Sequence, residues 1–168
     1  DGSRIAFMTR EVGRDSWNLT VVDVDTKELE QLTTIDVVDR YPDWSPDGTY
    51  IVFHSSRVDS NPGTCWPDCK LGLYVVDVDT LELFQLRRGN EPILGASADW
   101  SPDGNKLAFQ SDEAGSSDIY ILDFDHGITR LSDTPSDEYL AAWSPDGRFI
   151  AFVGDSSNGK DIGVTPVD

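Results

Sequence analysis

An internal repeat restricts the fold of this sequence more than any other feature. The pentapeptide Trp-Ser-Pro-Asp-Gly occurs three times in the 168 residues, and the chain opens with Asp1-Gly2, which has the form of the end of a fourth copy. A strand-like run of one form follows each Asp-Gly pair, at 5–7, 51–53, 107–109 and 150–152. Self-similarity of this kind is the sequence signature of a repeat architecture.

Each repeat contains runs for four short β-strands. One run leads into the tryptophan, the Ile-Ala-Phe-type run follows, a third run ends in an acidic turn, and a short fourth run comes last. β-branched and aromatic residues fill these runs, polar residues and glycine separate them, and no window has the 3.6-residue period of an amphipathic helix. The sequence therefore predicts an all-β fold, a β-propeller built of four-stranded antiparallel blades.

The repeated residues have clear structural roles. The tryptophan offers a large apolar surface that can pack one blade on its neighbour. The proline sets φ for a turn, and Asp-Gly supplies a side-chain acceptor and a positive φ. Because the set recurs in every repeat, we interpret it as scaffold and not as a catalytic or metal site. Its members are Trp44, Pro46, Asp47, Gly48, Trp100, Pro102, Asp103, Gly104, Trp143, Pro145, Asp146 and Gly147.

At these positions the chain resembles the TolB-type β-propeller repeat, a relative of the WD-repeat propellers. The matching segments are 42–48, 118–120 and 32–33, while Ala98 and Ala141 stand where the family unit has a proline. The resemblance extends over essentially the whole chain. The family includes the periplasmic TolB protein, a partner-binding scaffold, and propeller domains that cover the active sites of prolyl-oligopeptidase-like serine peptidases. The resemblance thus implies the fold and leaves the function open.

Counting strands by type predicts a partial propeller with two full and two incomplete blades. Blade 1 spans 1–43 and lacks its first strand, blade 2 spans 44–99, blade 3 spans 100–142, and blade 4 spans 143–168 and lacks its last strand. Exposed sheet edges at both ends would invite aggregation. We therefore expect further blades, supplied by a longer parent chain or by another copy.

Blade 2 carries an insertion at about 60–71 that holds the only two cysteines, Cys65 and Cys69. We expect a Cys65–Cys69 disulfide, which places the protein in an oxidising compartment, periplasmic or secreted. Free thiols and a metal site are the alternatives, although a metal would need more ligands than two thiolates. Trp66 at the tip of this loop either contacts a partner or folds back on the blade.

The net charge of −18 excludes two classes of partner. Nucleic-acid binding and docking on anionic lipid both need a basic surface. No run of apolar residues is long enough to span a membrane, so we expect no membrane insertion. Aspartate makes up 24 of the 31 acidic residues, which suits a chain of strands and turns, although salt adaptation would give a similar excess.

Two groups of carboxylates are candidates for binding. The pairs Asp77/Asp79 and Asp123/Asp125 place carboxylates two residues apart, as calcium loops do, but no full calcium-loop pattern follows, and we interpret them first as β-turn residues and only second as calcium ligands. The second group precedes the tryptophan motifs and includes Asp39 and Asp43. Those residues either line an acidic channel mouth that contacts a cation or basic peptide, or form a solvated rim.

Catalytic motifs are missing from the sequence. The segment 95–99 fails the Gly-x-Ser-x-Gly pattern at its last position, and His54 and His126 each stand alone. We therefore expect a non-catalytic, extracytoplasmic scaffold that binds a protein or peptide and needs no cofactor, with calcium as the one candidate ion. The alternatives are a propeller domain that gates a serine peptidase and a calcium- or carbohydrate-binding propeller.

Overall fold

The computed structural model describes residues 2–10, 12–34, 36–60, 69–134, 136–156 and 159–167. These residues form antiparallel sheets, and the only helical segment among them is a single 3-10 turn at Ser56–Val58. The chain divides into two compact units, Asp1–Leu94 and Gly95–Asp168. The all-β prediction is confirmed. Within the described residues, no helix is long and apolar enough to cross a membrane.

The first unit contains a three-stranded and a four-stranded sheet, which we call sheets 1 and 2. Neighbouring strands in the chain are neighbours in each sheet, so every connection is a hairpin. A small two-stranded ribbon follows sheet 2. Sheet 1 consists of β1 (Arg4–Thr9), β2 (Asn18–Asp23) and β3 (Leu29–Gln31); sheet 2 of β4 (Asp39–Trp44), β5 (Tyr50–Ser55), β6 (Gly72–Asp77) and β7 (Leu83–Gln85); and the ribbon of β8 (Arg87–Arg88) and β9 (Glu91–Pro92).

The second unit repeats this pattern with a four-stranded sheet 3 and a three-stranded sheet 4, again in chain order. Two full and two incomplete sheets are the number that the strand count predicted. Sheet 3 consists of β10 (Ala96–Trp100), β11 (Lys106–Ser111), β12 (Asp118–Asp123) and β13 (Gly127–Arg130), and sheet 4 of β14 (Glu138–Trp143), β15 (Phe149–Ser156) and β16 (Gly159–Pro166).

The strand that leads into each motif tryptophan pairs with the strand that follows the turn. Sheets 2, 3 and 4 consequently begin at Asp39, Ala96 and Glu138. The boundaries drawn from the sequence count from the tryptophans, whereas the hydrogen-bonded sheets start four to five residues earlier. A leading strand and the three strands after it are therefore the hydrogen-bonded unit.

Each unit has its own apolar core between its two sheets. In the first unit, Leu19 and Val21 of sheet 1 pack in one cluster with Ile51 and Phe53 of sheet 2, and Trp44 lies against it. In the second, Ile119 and Ile121 of sheet 3 cluster with Ile150 of sheet 4, and Trp143 lies against them. Burial of about 25 cal/mol per Å² of apolar surface makes these clusters the main stabilising contacts between sheets.

Candidate binding site at the strand bulges

The Trp-Ser-Pro-Asp-Gly segments fold into three copies of one turn. In the first copy, the Ser45 hydroxyl donates to Oδ1 of Asp47 at 2.6 Å, and the same oxygen accepts the backbone N–H of Thr49 at 3.0 Å. Gly48 has a φ of 74°, and Gly104 and Gly147 have 76° and 70°. Asp103 and Asp146 accept the equivalent bonds. These residues close hairpins, and their oxygens are used within the turn.

The acidic turns between the third and fourth strands are also closed internally. Oδ1 of Asp77 accepts the backbone N–H groups of Asp79 at 3.1 Å and Thr80 at 2.8 Å. Asp123 accepts the same two bonds and is ion-paired with Lys106. Hydrogen bonds from Thr80 lower the pKa of Asp77, and Lys106, assisted by His126, lowers the pKa of Asp123. Among the described residues, no group of three or more His, Cys, Asp or Glu side chains could hold a metal ion.

A β-bulge interrupts the leading strand of sheets 2, 3 and 4 at the same repeat position. In each case two residues lie opposite one phenylalanine of the next strand: 41 and 42 opposite Phe53, 97 and 98 opposite Phe109, and 140 and 141 opposite Phe152. The first of the two residues has a positive φ, although none is a glycine. The φ angles are 53° at Tyr41, 50° at Ser97 and 54° at Leu140. We call these three residues the bulge residues.

The bulges turn large side chains toward solvent. Tyr41 is 47% exposed and Leu140 is 50% exposed. A left-handed backbone costs a residue with a Cβ atom about 1–2 kcal/mol, and bulges commonly re-aim side chains next to functional sites. The left-handed backbone recurs in all three copies, and the side chain is exposed at Tyr41 and Leu140; this is the feature of the chain that points most directly to binding.

Contacts between sheets hold the bulges in place. The backbone N–H of Tyr41 donates to Sδ of Met8 at 3.4 Å, and that of Leu140 donates to Oε1 of Gln110 at 3.2 Å. Met8 and Gln110 occupy the same repeat position, directly after the phenylalanine of the second strand. The amide that the bulge withdraws from the sheet ladder is thus bonded to the preceding sheet in both units.

Aromatic and cationic groups surround Tyr41 in the first unit. Its ring lies 5.3 Å from the His54 imidazole, centroid to centroid. Burial, assisted by the positive charge of Arg40, lowers the pKa of His54 to about 4. The imidazole is therefore neutral at physiological pH. Arg40 in turn places its guanidinium carbon 4.7 Å from the centroid of the Trp17 ring.

Asp39 and Asp43, the acidic residues expected at a channel mouth, differ in their environment. Asp39 is fully buried, and both of its carboxylate oxygens accept hydrogen bonds from the guanidinium of Arg57, one of them at 2.9 Å. The expectation of a partner contact at Asp39 is therefore wrong, because a carboxylate without exposed surface cannot reach a partner. Asp43 is half-buried and stays a candidate.

Two other candidates, Cys65 and Trp66, lie outside the described residues. The Cys65–Cys69 disulfide and the partner contact at Trp66 therefore remain predictions.

The sequence pattern did not predict the bulges. The usual signal for a left-handed residue in a strand is glycine, and the bulge residues are tyrosine, serine and leucine. The one feature that could have indicated a repeated bulge is the shared position of these residues, three before each motif tryptophan.

The sheets and their order match solved propellers. The structure of TolB from Acinetobacter baumannii superposes with a TM-score of 0.81 at 26% sequence identity, covering 99% of this chain and 39% of that one. A putative TolB from Agrobacterium tumefaciens gives 0.77 at 20% identity, covering 100% and 58%. The chain is a β-propeller structure, as its repeats predicted.

Comparison of the sequence with curated proteins indicates which propeller repeats these resemble. The Tol-Pal system protein TolB of Xylella fastidiosa strain M12 is 45% identical over 62 residues, which are 37% of this chain and 14% of that protein. The repeats are similar to those of TolB proteins. The matched region is thus a small part of the curated relatives' length, and no protein-family model matches the sequence.

Enzymes share this fold. A tricorn protease, an oligogalacturonate lyase and a puromycin hydrolase match at 16–18% identity with TM-scores of 0.61–0.71. At such identities the likeness concerns the fold alone.

Proposed function

We propose that this chain is a non-catalytic propeller scaffold that binds a protein or peptide through the bulge residues. The observation that carries the proposal is the repeated bulge, where Tyr41 and Leu140 are exposed on a left-handed backbone. Exposed tyrosine and leucine side chains on rigid strands provide apolar contact area with little loss of side-chain entropy. The TolB relatives are Tol-Pal system proteins, which makes the Tol-Pal proteins the first partners to test.

Binding is tested by isothermal titration calorimetry of the chain against Tol and Pal proteins of the source organism. We expect Tyr41→Ala and Leu140→Ala each to weaken binding by about tenfold or more, since central apolar contacts dominate interface energies. Leu81→Ala is the matched control, because Leu81 is also an exposed leucine with a positive φ but lies in the acidic turn after β6. Equal loss at Leu81, or no binding by the unmodified chain, contradicts the proposal.

The non-catalytic part of the proposal has a separate test. The chain is incubated with peptide substrates and with oligogalacturonate, the classes that the enzymes of this fold suggest. We expect no turnover above a buffer blank. Turnover that persists through repurification would overturn the proposal and favour an enzymatic role.

We further propose an extracytoplasmic location, periplasmic or secreted. The predicted Cys65–Cys69 disulfide and the TolB-type repeats support it. Intact-mass measurement after alkylation, with and without reductant, checks the disulfide. Two thiols that are alkylated without reductant would remove the support from the cysteines.

A further inference from the structure

Met8 is the only methionine of the chain, and its sulfur supports one of the bulge residues. It lies in β1, and its Sδ accepts the backbone N–H of Tyr41 at 3.4 Å. A thioether sulfur is a weak hydrogen-bond acceptor. The left-handed backbone of Tyr41, with a φ of 53°, is therefore held from the preceding sheet by a weak contact.

The equivalent contact in the second unit uses a different acceptor. There the backbone N–H of Leu140 donates to Oε1 of Gln110 at 3.2 Å, and Gln110 occupies the repeat position of Met8. An amide oxygen is a stronger acceptor than a thioether sulfur, and it does not react with the oxidants that convert methionine to its sulfoxide. Of these two bulges, the one at Tyr41 has the oxidisable acceptor.

Met8 is accessible to solvent on one side and packed on the other. The residue is half-buried, and its hydrogen bond to Tyr41 lies at the exposed surface. On the other side it packs against the apolar cluster of the first unit, and it lies opposite Leu19 in the register of β1 and β2. An oxidant can therefore approach the sulfur from solvent, whereas an oxygen atom added to the sulfur has to fit into a packed environment.

We propose that Met8 is an oxidation site through which peroxides weaken binding at Tyr41. A lone pair of Sδ attacks one oxygen of hydrogen peroxide, so that an S–O bond forms and the O–O bond breaks. The sulfur is oxidised by two electrons to the sulfoxide, and the departing hydroxide takes the proton of the transferred oxygen and becomes water. The inference rests on the proposed function, because Tyr41 is one of the two exposed bulge contacts.

Oxidation changes both sides of the contact. The new oxygen projects from the sulfur, so the N–H of Tyr41 has to move in order to donate to it. The polar sulfoxide also packs poorly on the apolar cluster around Leu19. Both changes displace the backbone of Tyr41, whereas Leu140 keeps its bond to Gln110. We therefore expect the partner contact to be lost in the first unit and kept in the second.

Nuclear magnetic resonance spectroscopy of the full chain tests this effect without a partner. Tyrosine and leucine are isotopically labelled, and Tyr41→Phe and Leu140→Ala assign the two amide signals. After treatment with hydrogen peroxide, mass spectrometry should locate one added oxygen at Met8, the Tyr41 signal should shift and the Leu140 signal should stay. Methionine sulfoxide reductases should restore the Tyr41 signal. An unoxidised Met8 in the folded chain, or an unchanged Tyr41 signal once Met8 is oxidised, overturns the proposal.

Variants show whether Met8 is responsible for a loss of binding. Peroxide should weaken partner binding by the unmodified chain about tenfold, as Tyr41→Ala does. Met8→Gln copies the acceptor of the second unit without the sulfur, so it should keep its affinity in peroxide. Met8→Leu removes the acceptor and the sulfur together, so it should lose affinity before treatment and no more after it. An equal loss in peroxide for the unmodified chain and either variant contradicts the proposal, because the reaction would then lie at other residues.

The oxidation site and the proposed function fail in different ways. If Tyr41→Ala weakens partner binding while oxidation of Met8 leaves both binding and the Tyr41 signal unchanged, the oxidation site is wrong and the scaffold function stands. If no Tol-Pal protein binds while the Tyr41 signal shifts reversibly with oxidation of Met8, the scaffold function is wrong in its partner and the effect of oxidation on the bulge stands.

Discussion

The backbone N–H of Trp143 donates to Oδ2 of Asp99 at 2.7 Å, and the indole N–H of the same residue donates to the Asp99 carbonyl at 3.2 Å. The motif tryptophan therefore joins sheet 4 to sheet 3 by directed hydrogen bonds as well as by apolar contact. In the first unit the indole N–H of Trp44 is buried without a partner among the described residues. Among the described residues, no strand pairs with β1 on the side where sheets 2, 3 and 4 have their leading strand, and the residue equivalent to Asp99 would lie on that strand.

Removing the Asp99 carboxylate should weaken the contact between sheets 3 and 4. Asp99→Ala leaves the half-buried backbone N–H of Trp143 without its acceptor, which costs about 1 kcal/mol. We expect the free energy of unfolding, measured by urea denaturation and tryptophan fluorescence, to fall by this amount. Asp99→Asn keeps an acceptor oxygen and should lose less. Asp125→Ala, at an exposed carboxylate, is the control, and an equal loss at Asp125 contradicts the bridging role.

Replacing a bulge residue by glycine should separate stability from binding. Because Leu140 has a φ of 54°, Leu140→Gly should be about 1 kcal/mol more stable to unfolding than Leu140→Ala. Both variants lose the leucine side chain, so both should lose partner binding. Urea denaturation measures the first effect and calorimetric titration the second.

The neighbouring Ala142 provides the control for this comparison. Ala142 lies in the same strand without a positive φ, and Ala142→Gly should destabilise by about 0.5–1 kcal/mol. The prediction is wrong if Leu140→Gly has a lower free energy of unfolding than Leu140→Ala, by the same amount that Ala142→Gly falls below the unmodified chain. The backbone at Leu140 would then carry no strain.

The contrast between turns and bulges shows what the sequence could predict. The turn at Asp47 and Gly48 depends only on neighbouring residues, through the hydrogen bond to Asp47 and the positive φ of Gly48. The pentapeptide alone was therefore enough to predict the hairpin. The left-handed Tyr41 depends on Phe53 opposite it and on Met8 of the preceding sheet, which no local pattern encodes. The repeat predicted where strands lie, and the contacts between sheets decided how the side chains are aimed.

The burial of the Asp39 carboxylate could not be predicted either, because it too depends on a contact between distant parts of the chain. Asp39 resembled the other acidic residues before the motif, but the chain brings Arg57 back to it from 18 positions away. A pairing at that separation depends on the register of β4 on β5 and on the 3-10 turn, which the sequence pattern does not fix.

Breaking the Asp39–Arg57 pair should be costly. The Arg57 side chain is only 12% exposed, so Asp39→Ala leaves a desolvated cation, and we expect a loss of about 3–5 kcal/mol in the free energy of unfolding. Arg57 also lies over the rings of Phe53 and Tyr74. Arg57→Met keeps that apolar cover and removes the charge.

A double-mutant cycle measures the coupling of this pair. The double variant Asp39→Ala/Arg57→Met should be more stable than Asp39→Ala alone, because no unpaired charge is left in the core. Single effects that add to give the double effect would show that the two residues are independent.

The buried His54 should make the first unit sensitive to acid. Its folded pKa of about 4 lies below the ordinary value of 6.5, so between these values the unfolded chain binds more protons than the folded chain. Its contribution is fully present above pH 6.5 and is lost as the pH falls toward 4. From about pH 7 to about pH 5 this predicts a loss of about 2 kcal/mol in the free energy of unfolding.

Comparing variants isolates this contribution from that of the carboxylates. Urea denaturation at both pH values should show a smaller loss for His54→Gln than for the unmodified chain, because the glutamine does not titrate. His126→Gln removes an imidazole that is 83% exposed and serves as the control. If His54→Gln loses as much stability in acid as the unmodified chain, unfolding does not protonate this imidazole, and the burial of His54 does not govern the acid response.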